Sequence, residues 1–423
     1  MDKGKLSAAV LLDLSAGFDV IDHDALIKKL EKYGFDEGAI SWFRDYMSDR
    51  YQCVQIESRF SSFLKITWGV PQGSILGPLL FILFINELPF ILKKQTTAVN
   101  ANEPDEVSEE PTIVVFADDN TPTNSNTNLE MLLDDMQEHC NTVANWFLKN
   151  KMVCSGDKTK LLILGTRANR LHKIENKNVI PKLEICGKTI MESESEKLLG
   201  LVVNNTITWK NHLHGSEDSP GLITTLSKRV GVLSKLRKYL PKSKFKQISA
   251  GLFQSKLSYG ISVWSGIWND HIMGDFMKTS ISKRDMRKLQ TLQNKTLRLE
   301  NSLDRYTSTE TLISASNTLS VHQLAAKCCL VQVYNIKQNK KPVYHYDRLF
   351  GISGIGNSQA NLRSCDNNNT RIDYKRSLCR GGFFFQSSRL WSSLPPDVKT
   401  CSTLPLFKTK LKAWIKNNIS LKL

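Results

Sequence analysis

Residues 69–78 read GVPQGSILGP, with three glycines and two prolines in ten positions. Gly69, Gly73 and Gly77 suit a loop whose backbone must approach something closely, and Pro78 suits the first turn of a helix. The apolar run that follows, Ile75 to Leu92, is interrupted by Pro78, Asn86, Glu87 and Pro89. It predicts a buried helix from about Pro78 and not a membrane span. Upstream, the apolar run Ser7–Leu12 meets Asp13. Periodicity leaves that run open between a buried strand and a turn of core helix. Downstream, the β-branched run Thr112–Ala117 reads as a strand ending on Asp118-Asp119.

Two apolar segments that each end on aspartate can bring carboxylates together at the ends of neighbouring strands. Such oxygens suit hard divalent cations. Two cations about 3.5–4 Å apart clamp the attacking and leaving oxygens of an in-line phosphoryl displacement. A paired aspartate after a strand is more often a turn, so neither segment is specific alone.

Taken in order, LLDLSAGFDVIDH (11–23), GVPQGSILGPLLFILFIN (69–86) and FADD (116–119) resemble the first three palm motifs of reverse transcriptases, above all the jockey-like non-LTR retrotransposon enzymes. The resemblance extends through ANWFLKNKMVCSGDKTKLLILGT (144–166), KLLGLVVNNTITWKNHL (197–213) and RLWSSLPPDVKTCSTLPLFKTKLKAWI (389–415).

It implies an α+β palm with a small antiparallel sheet (1–205), a helical thumb or connection (206–330) and a basic C-terminal region (331–423). It also implies RNA-directed DNA polymerisation with an RNA template, a DNA primer, deoxynucleoside triphosphates and two Mg²⁺ or Mn²⁺ ions. By the same resemblance Asp13 and Asp118 are the two shared metal ligands, and Asp119 is the third catalytic carboxylate, which helps to hold a metal or tunes the turn. Phe18 resembles the steric gate against a 2′-hydroxyl, with plain core packing as the alternative. Gln72 and Gly73 resemble the loop beside the incoming nucleotide and template. Lys158 stands where the family has a lysine able to protonate leaving pyrophosphate, an ordinary solvated lysine being the alternative. Leu199-Gly200 resembles the turn that grips the primer end.

Several departures bear on activity. The first motif begins a dozen residues from Met1, so the fingers and the endonuclease that relatives carry upstream are expected to be lacking, and primer extension by this chain to be very poor or absent. Ser155 replaces the usual asparagine, and Pro122 falls where the return strand of the catalytic hairpin should run, which predicts an edge or broken strand. An inactive retrotransposon remnant that binds nucleic acid is the alternative function, and a maturase-like RNA-binding role a further one.

Charge divides the chain. Residues 1–165 carry 15 Lys/Arg against 24 Asp/Glu, a net −9, and the remainder carry 42 against 17, a net +25. A metal-holding acidic part and a phosphate-holding basic part would give this asymmetry, and a solvated basic surface is the alternative. Lys228, Arg229, Lys235, Arg237, Lys238, Lys242, Lys244 and Lys246 are candidates to track a nucleic-acid backbone. Nine cysteines without CxxC spacing suggest neither disulfides nor a zinc site, and so a reducing, intracellular compartment, nuclear or cytoplasmic.

Further readings complete the outline. Helices are predicted from a cap at Asp24 to Tyr33, over Glu37–Asp49 and over Asn128–Lys149, with strands at Tyr51–Glu57, Phe63–Thr67, Leu161–Gly165 and Leu198–Val203. Lys93–Pro111 is read as a mobile surface loop and 351–382 as irregular. Trp264, Trp268 and Trp391 are assigned to packing.

Overall fold

The computed structural model describes residues 4–14, 16–92, 112–217, 219–266, 281–350 and 382–419. The chain divides into two compact units, residues 3–198 with 204–206 and residues 199–203 with 207–423. The readings for Lys93–Pro111, Trp268 and 351–381 lie outside the described residues.

In the first unit the Ser7–Leu12 run is a strand, β1 (Leu6–Leu14). Alternation along it buries Leu6, Ala8, Val10, Leu12 and Leu14, and this puts Asp13 on the opposite face. Helix α1 (His23–Lys32) is capped by Asp22, whose Oδ1 accepts from the Ala25 amide at 2.8 Å. This corrects the cap expected at Asp24. Asp22 has the extended backbone that a cap requires, and Asp24 sits inside the first turn. Helix α2 (Glu37–Met47) buries Ile40 and Met47.

Four two-residue strands follow: β2 (Tyr51–Gln52), β3 (Gln55–Ile56), β4 (Arg59–Phe60) and β5 (Leu64–Lys65). β2 pairs with β5 and β3 with β4, so the expected two strands form a hairpin interrupted midway. Helix α3 (Leu76–Ile85) buries Leu80, Phe81, Phe84 and Ile85, while Leu79 and Ile82 face outward. Among the described residues no helix is long and apolar enough to cross a membrane.

β6 (Thr112–Phe116), β7 (Asp119–Asn126), helix α4 (Leu129–Lys149) and β8 (Cys154–Leu164) complete the sheet and its support. The strand order is β6-β7-β1-β8, antiparallel throughout. Leu129, Leu132, Met136, Cys140, Val143 and Phe147 line the buried side of α4, the spacing that the sequence shows. Pro122 is not on an edge. β7 is flanked by β6 and β1, and Pro122 lies opposite Ile113. Towards β1 the pairing skips from Ala9↔Thr123 to Leu12↔Asn120, and the missing proline N–H falls within that gap.

The second unit is helical, and one apolar core runs through it from Trp209 to Ile419. Trp264 and Trp391 are both buried there. Two of the basic residues expected to face nucleic acid are engaged inside the unit. Arg229 donates to the Leu252 carbonyl, and Arg237 to the Leu299 carbonyl and the Ser302 hydroxyl. A guanidinium presents several donors in a fixed fork and readily takes over such helix-end carbonyls. Lys228, Lys235, Lys238, Lys242, Lys244 and Lys246 are exposed.

Candidate active site

Asp13 sits near the end of β1, just past a register slip between Leu11 and Asp13 on the β8 side, and lies opposite Ser155. Bulges of this kind re-aim side chains and recur beside active sites. On its other side the pairing Leu12↔Asn120 brings the start of β7 alongside Asp13. β6 and β7 are joined through Ala117-Asp118, with Phe116 paired to Asp119. Ala117 has φ +52°, a left-handed conformation that costs a residue with a side chain about 1–2 kcal/mol. Backbone strain of this kind concentrates at functional sites.

Asp119 feels the other two carboxylates. Burial pushes the Asp119 carboxyl above the ordinary carboxylate range, and the negative charges of Asp118 and Asp13 push it further. Asp13 Oδ2 is closed off from solvent and accepts no hydrogen bond among the described residues. Its cationic neighbour is Lys158, whose Nζ stands 3.5 Å away. Among the described residues no three His, Cys, Asp or Glu side chains close into a ready-made cation cage. Mg²⁺ does not require one, because it is usually held by one or two carboxylates, waters and the substrate's phosphates. A shielded aspartate oxygen that accepts no hydrogen bond and has an exposed lysine as its ionic neighbour, near two further carboxylates, fits that mode of binding.

The glycine loop is laced to the segment after Asp13. The Gly69 amide donates to the Ile21 carbonyl at 2.8 Å and the Val70 amide to the Phe18 carbonyl at 2.9 Å. A Cβ on Gly69 would stand 2.7 Å from the Asp19 carbonyl oxygen, and φ there is +82°, so glycine is required. His23 Nε2 lies 2.7 Å from the Gly69 carbonyl oxygen. Gln72 Nε2 donates to Asp19 Oδ1 at 2.7 Å. Gln72, Asp19, His23, Arg50 and Trp68 line a cavity of about 520 Å³. Gly73 has φ +77° and open space around it.

Phe18 stacks on Phe81 with ring centroids 4.4 Å apart and remains partly exposed. Asp19 and His23 were not singled out in the sequence, although both lie inside the quoted stretch 11–23 and their polar side chains follow an apolar strand.

Leu199 and Gly200 belong to the second unit, where both have positive φ, +46° and +81°. The Tyr259 hydroxyl donates to the Leu199 carbonyl at 2.6 Å, and its ring would stand 3.2 Å from a Cβ on Gly200. Nothing local marks Tyr259, because the contact joins residues sixty apart in the chain.

Residues 1–203 match the family described as reverse transcriptase (RNA-dependent DNA polymerase). Its relatives are polymerases of non-LTR mobile elements. The chain is 23% identical over 298 residues to the RNA-directed DNA polymerase from mobile element jockey of Drosophila melanogaster, an alignment covering 70% of this chain and 29% of that protein. It is 26% identical over 206 residues to the probable RNA-directed DNA polymerase from transposon BS of the same species, covering 48% and 21%. The chain thus spans under a third of the length of these relatives. Among solved structures, a telomerase from Candida albicans superposes with TM-score 0.37 at 10% identity, over 82% of this chain and 51% of that one.

Proposed function

We propose that the chain catalyses template-directed DNA synthesis on RNA, adding deoxynucleotides to a primer 3′-hydroxyl. The observation that carries this is Asp13 beside the Ala117–Asp119 turn, with its charge felt at Asp119 and Lys158 as its ionic neighbour. Asp13 and Asp118 would hold divalent cations. Such ions would stabilise the charge that develops on the transferring phosphoryl group and its leaving pyrophosphate.

The protein's own residues do the rest. Lys158, 3.5 Å from Asp13, would give a proton to departing pyrophosphate. The Gly69–Gln72 loop would position the nucleotide, since its strapping to Phe18–Ile21 ties it to the strand that carries Asp13. Phe18, fixed by Phe81, would keep its ring against the sugar and exclude a 2′-hydroxyl. Leu199-Gly200, held by Tyr259, would support the primer end.

The test is extension of a DNA primer on an RNA template with Mg²⁺, comparing the native chain with Asp118→Asn. Extension that falls on the order of 10²–10³-fold or more in the variant supports the reading. No extension by the native chain, or extension that survives Asp118→Asn, overturns it.

A further inference from the structure

In the second unit, far along the chain from the polymerase motifs, a cavity of about 530 Å³ is lined by Asn317, Lys327, Lys408, Thr409, Lys412, Ala413 and Lys416. Lys408, Lys412 and Lys416 recur every four residues on the helix Leu404–Asn418, so they form one row with a rise of roughly 6 Å per step. Lys327 joins them from the helix Val321–Asn339.

The row is pre-ordered from the Asn317 turn. Lys412 Nζ donates to the Asn317 carbonyl at 2.5 Å and Lys416 Nζ to Asn317 Oδ1 at 3.1 Å. Ordering these long side chains in advance removes part of the entropy a ligand would otherwise lose in fixing them.

The lining lysines have no acidic partner among the described residues, although nearby Lys246 acts on the Glu300 carboxyl. Lys410 on the same helix pairs with Asp397 at 3.3 Å. No ion pair involves Lys246, Lys327, Lys408, Lys412 or Lys416 among the described residues. Partial burial lowers the affinity of Lys412 for its proton, and the like charges of Lys416, Lys327 and Lys246 lower it further. Folding therefore gathers cations that repel one another, and an anion would relieve that repulsion.

We propose that this cleft binds consecutive backbone phosphates of a single-stranded nucleic acid. The ordered row favours this ligand over a compact anion. The lysine positions step along the helix by roughly 6 Å, and the cavity of about 530 Å³ runs beyond what one phosphate would fill. The choice of nucleic acid rests on the proposed polymerase function, but the site is separate from the three carboxylates.

The experiment measures binding of a labelled single-stranded RNA to the full chain by fluorescence anisotropy. It is run in EDTA without nucleotides, so its outcome does not depend on whether primers are extended. Lys412→Gln with Lys416→Gln is compared with Lys340→Gln with Lys341→Gln, which removes the same charge elsewhere in the unit. The cleft pair should weaken binding about tenfold or more at low salt and reduce the slope of log K against log salt by about 1.4. The control pair should change both far less.

If the cleft pair loosens the fold, Lys327→Gln with Lys408→Gln replaces it, because neither ammonium makes a hydrogen bond among the described residues. Equal losses in cleft and control variants would overturn the proposal as a general charge effect. So would displacement of the RNA by polyglutamate at lower charge concentration than by polyphosphate, which would mark a surface for acidic protein.

Discussion

The side-chain amide of Gln72 donates to the carboxylate of Asp19 at 2.7 Å, tying the glycine loop to the segment that follows Asp13. Both groups are solvent-exposed, so the bond orients Gln72 more than it stabilises the unit. Asp19→Ala should change unfolding free energy by less than about 1 kcal/mol. It should lower kcat/KM for the incoming nucleotide roughly tenfold, and Asp19→Asn should lie between. Steady-state extension beside urea unfolding separates the two effects.

Two loop glycines should respond differently to alanine. At Gly69 a Cβ meets the Asp19 backbone at 2.7 Å in a left-handed conformation, whereas at Gly73 the same conformation has free space. Gly73→Ala should cost about 1–2 kcal/mol, the conformational penalty alone. Gly69→Ala should cost clearly more, because a backbone clash is added. Denaturant midpoints of the two variants give the ranking, and an equal cost would contradict the packing described.

Asp119 makes the metal-free palm sensitive to pH. Its folded-state affinity for a proton is raised by burial and by Asp118 and Asp13. The folded state therefore binds that proton more readily than the unfolded state does, and stability falls as pH rises through the raised value. At neutral pH Asp119→Asn should raise the melting temperature of the protein in EDTA. That gain should vanish towards pH 3, where the carboxyl is protonated in both states. Added Mg²⁺ should raise the melting temperature of the native chain more than that of the variant.

His212 predicts the opposite slope in the second unit. Burial, with Lys256 nearby, lowers its proton affinity from the ordinary 6.5 to about 4. The ring contacts those of Trp209 and Trp264, and its Nε2 has no hydrogen-bond partner among the described residues. The depressed value means stability is held above pH 6.5 and lost as pH falls towards 4, by about 3 kcal/mol at most. His212→Gln should flatten the urea midpoint between pH 7 and pH 4.

Local signals in the chain carried much of this architecture. The face of α4 was legible because its apolar positions recur at helical spacing, and β6 because β-branched residues end abruptly on Asp118-Asp119. Placing the three aspartates together depended on motif order, since strand neighbours such as β1 and β7 are set by pairing over long separations. Asp22 and Asp24 are chemically equal as caps, and only the backbone at Asp22 decides between them. Arg229 and Arg237 looked like the exposed lysines around them, because a row of basic residues does not show which will find carbonyls. The lysine cleft gathers residues from Asn317 to Lys416, and no local pattern announces it.

The pairing of β1 also bears on how the chain is made. Leu6 pairs with Asn126 and Ser7 with Leu164, so the strand that carries Asp13 is synthesised long before either neighbour. At ribosomal speeds that interval is roughly 6–30 s, during which an apolar strand has open edges on both sides. Closing such distant contacts is also intrinsically slow. The strand that carries Asp13 is thus open to misassociation early in synthesis, and capture by a chaperone during translation would act on the residues around Asp13.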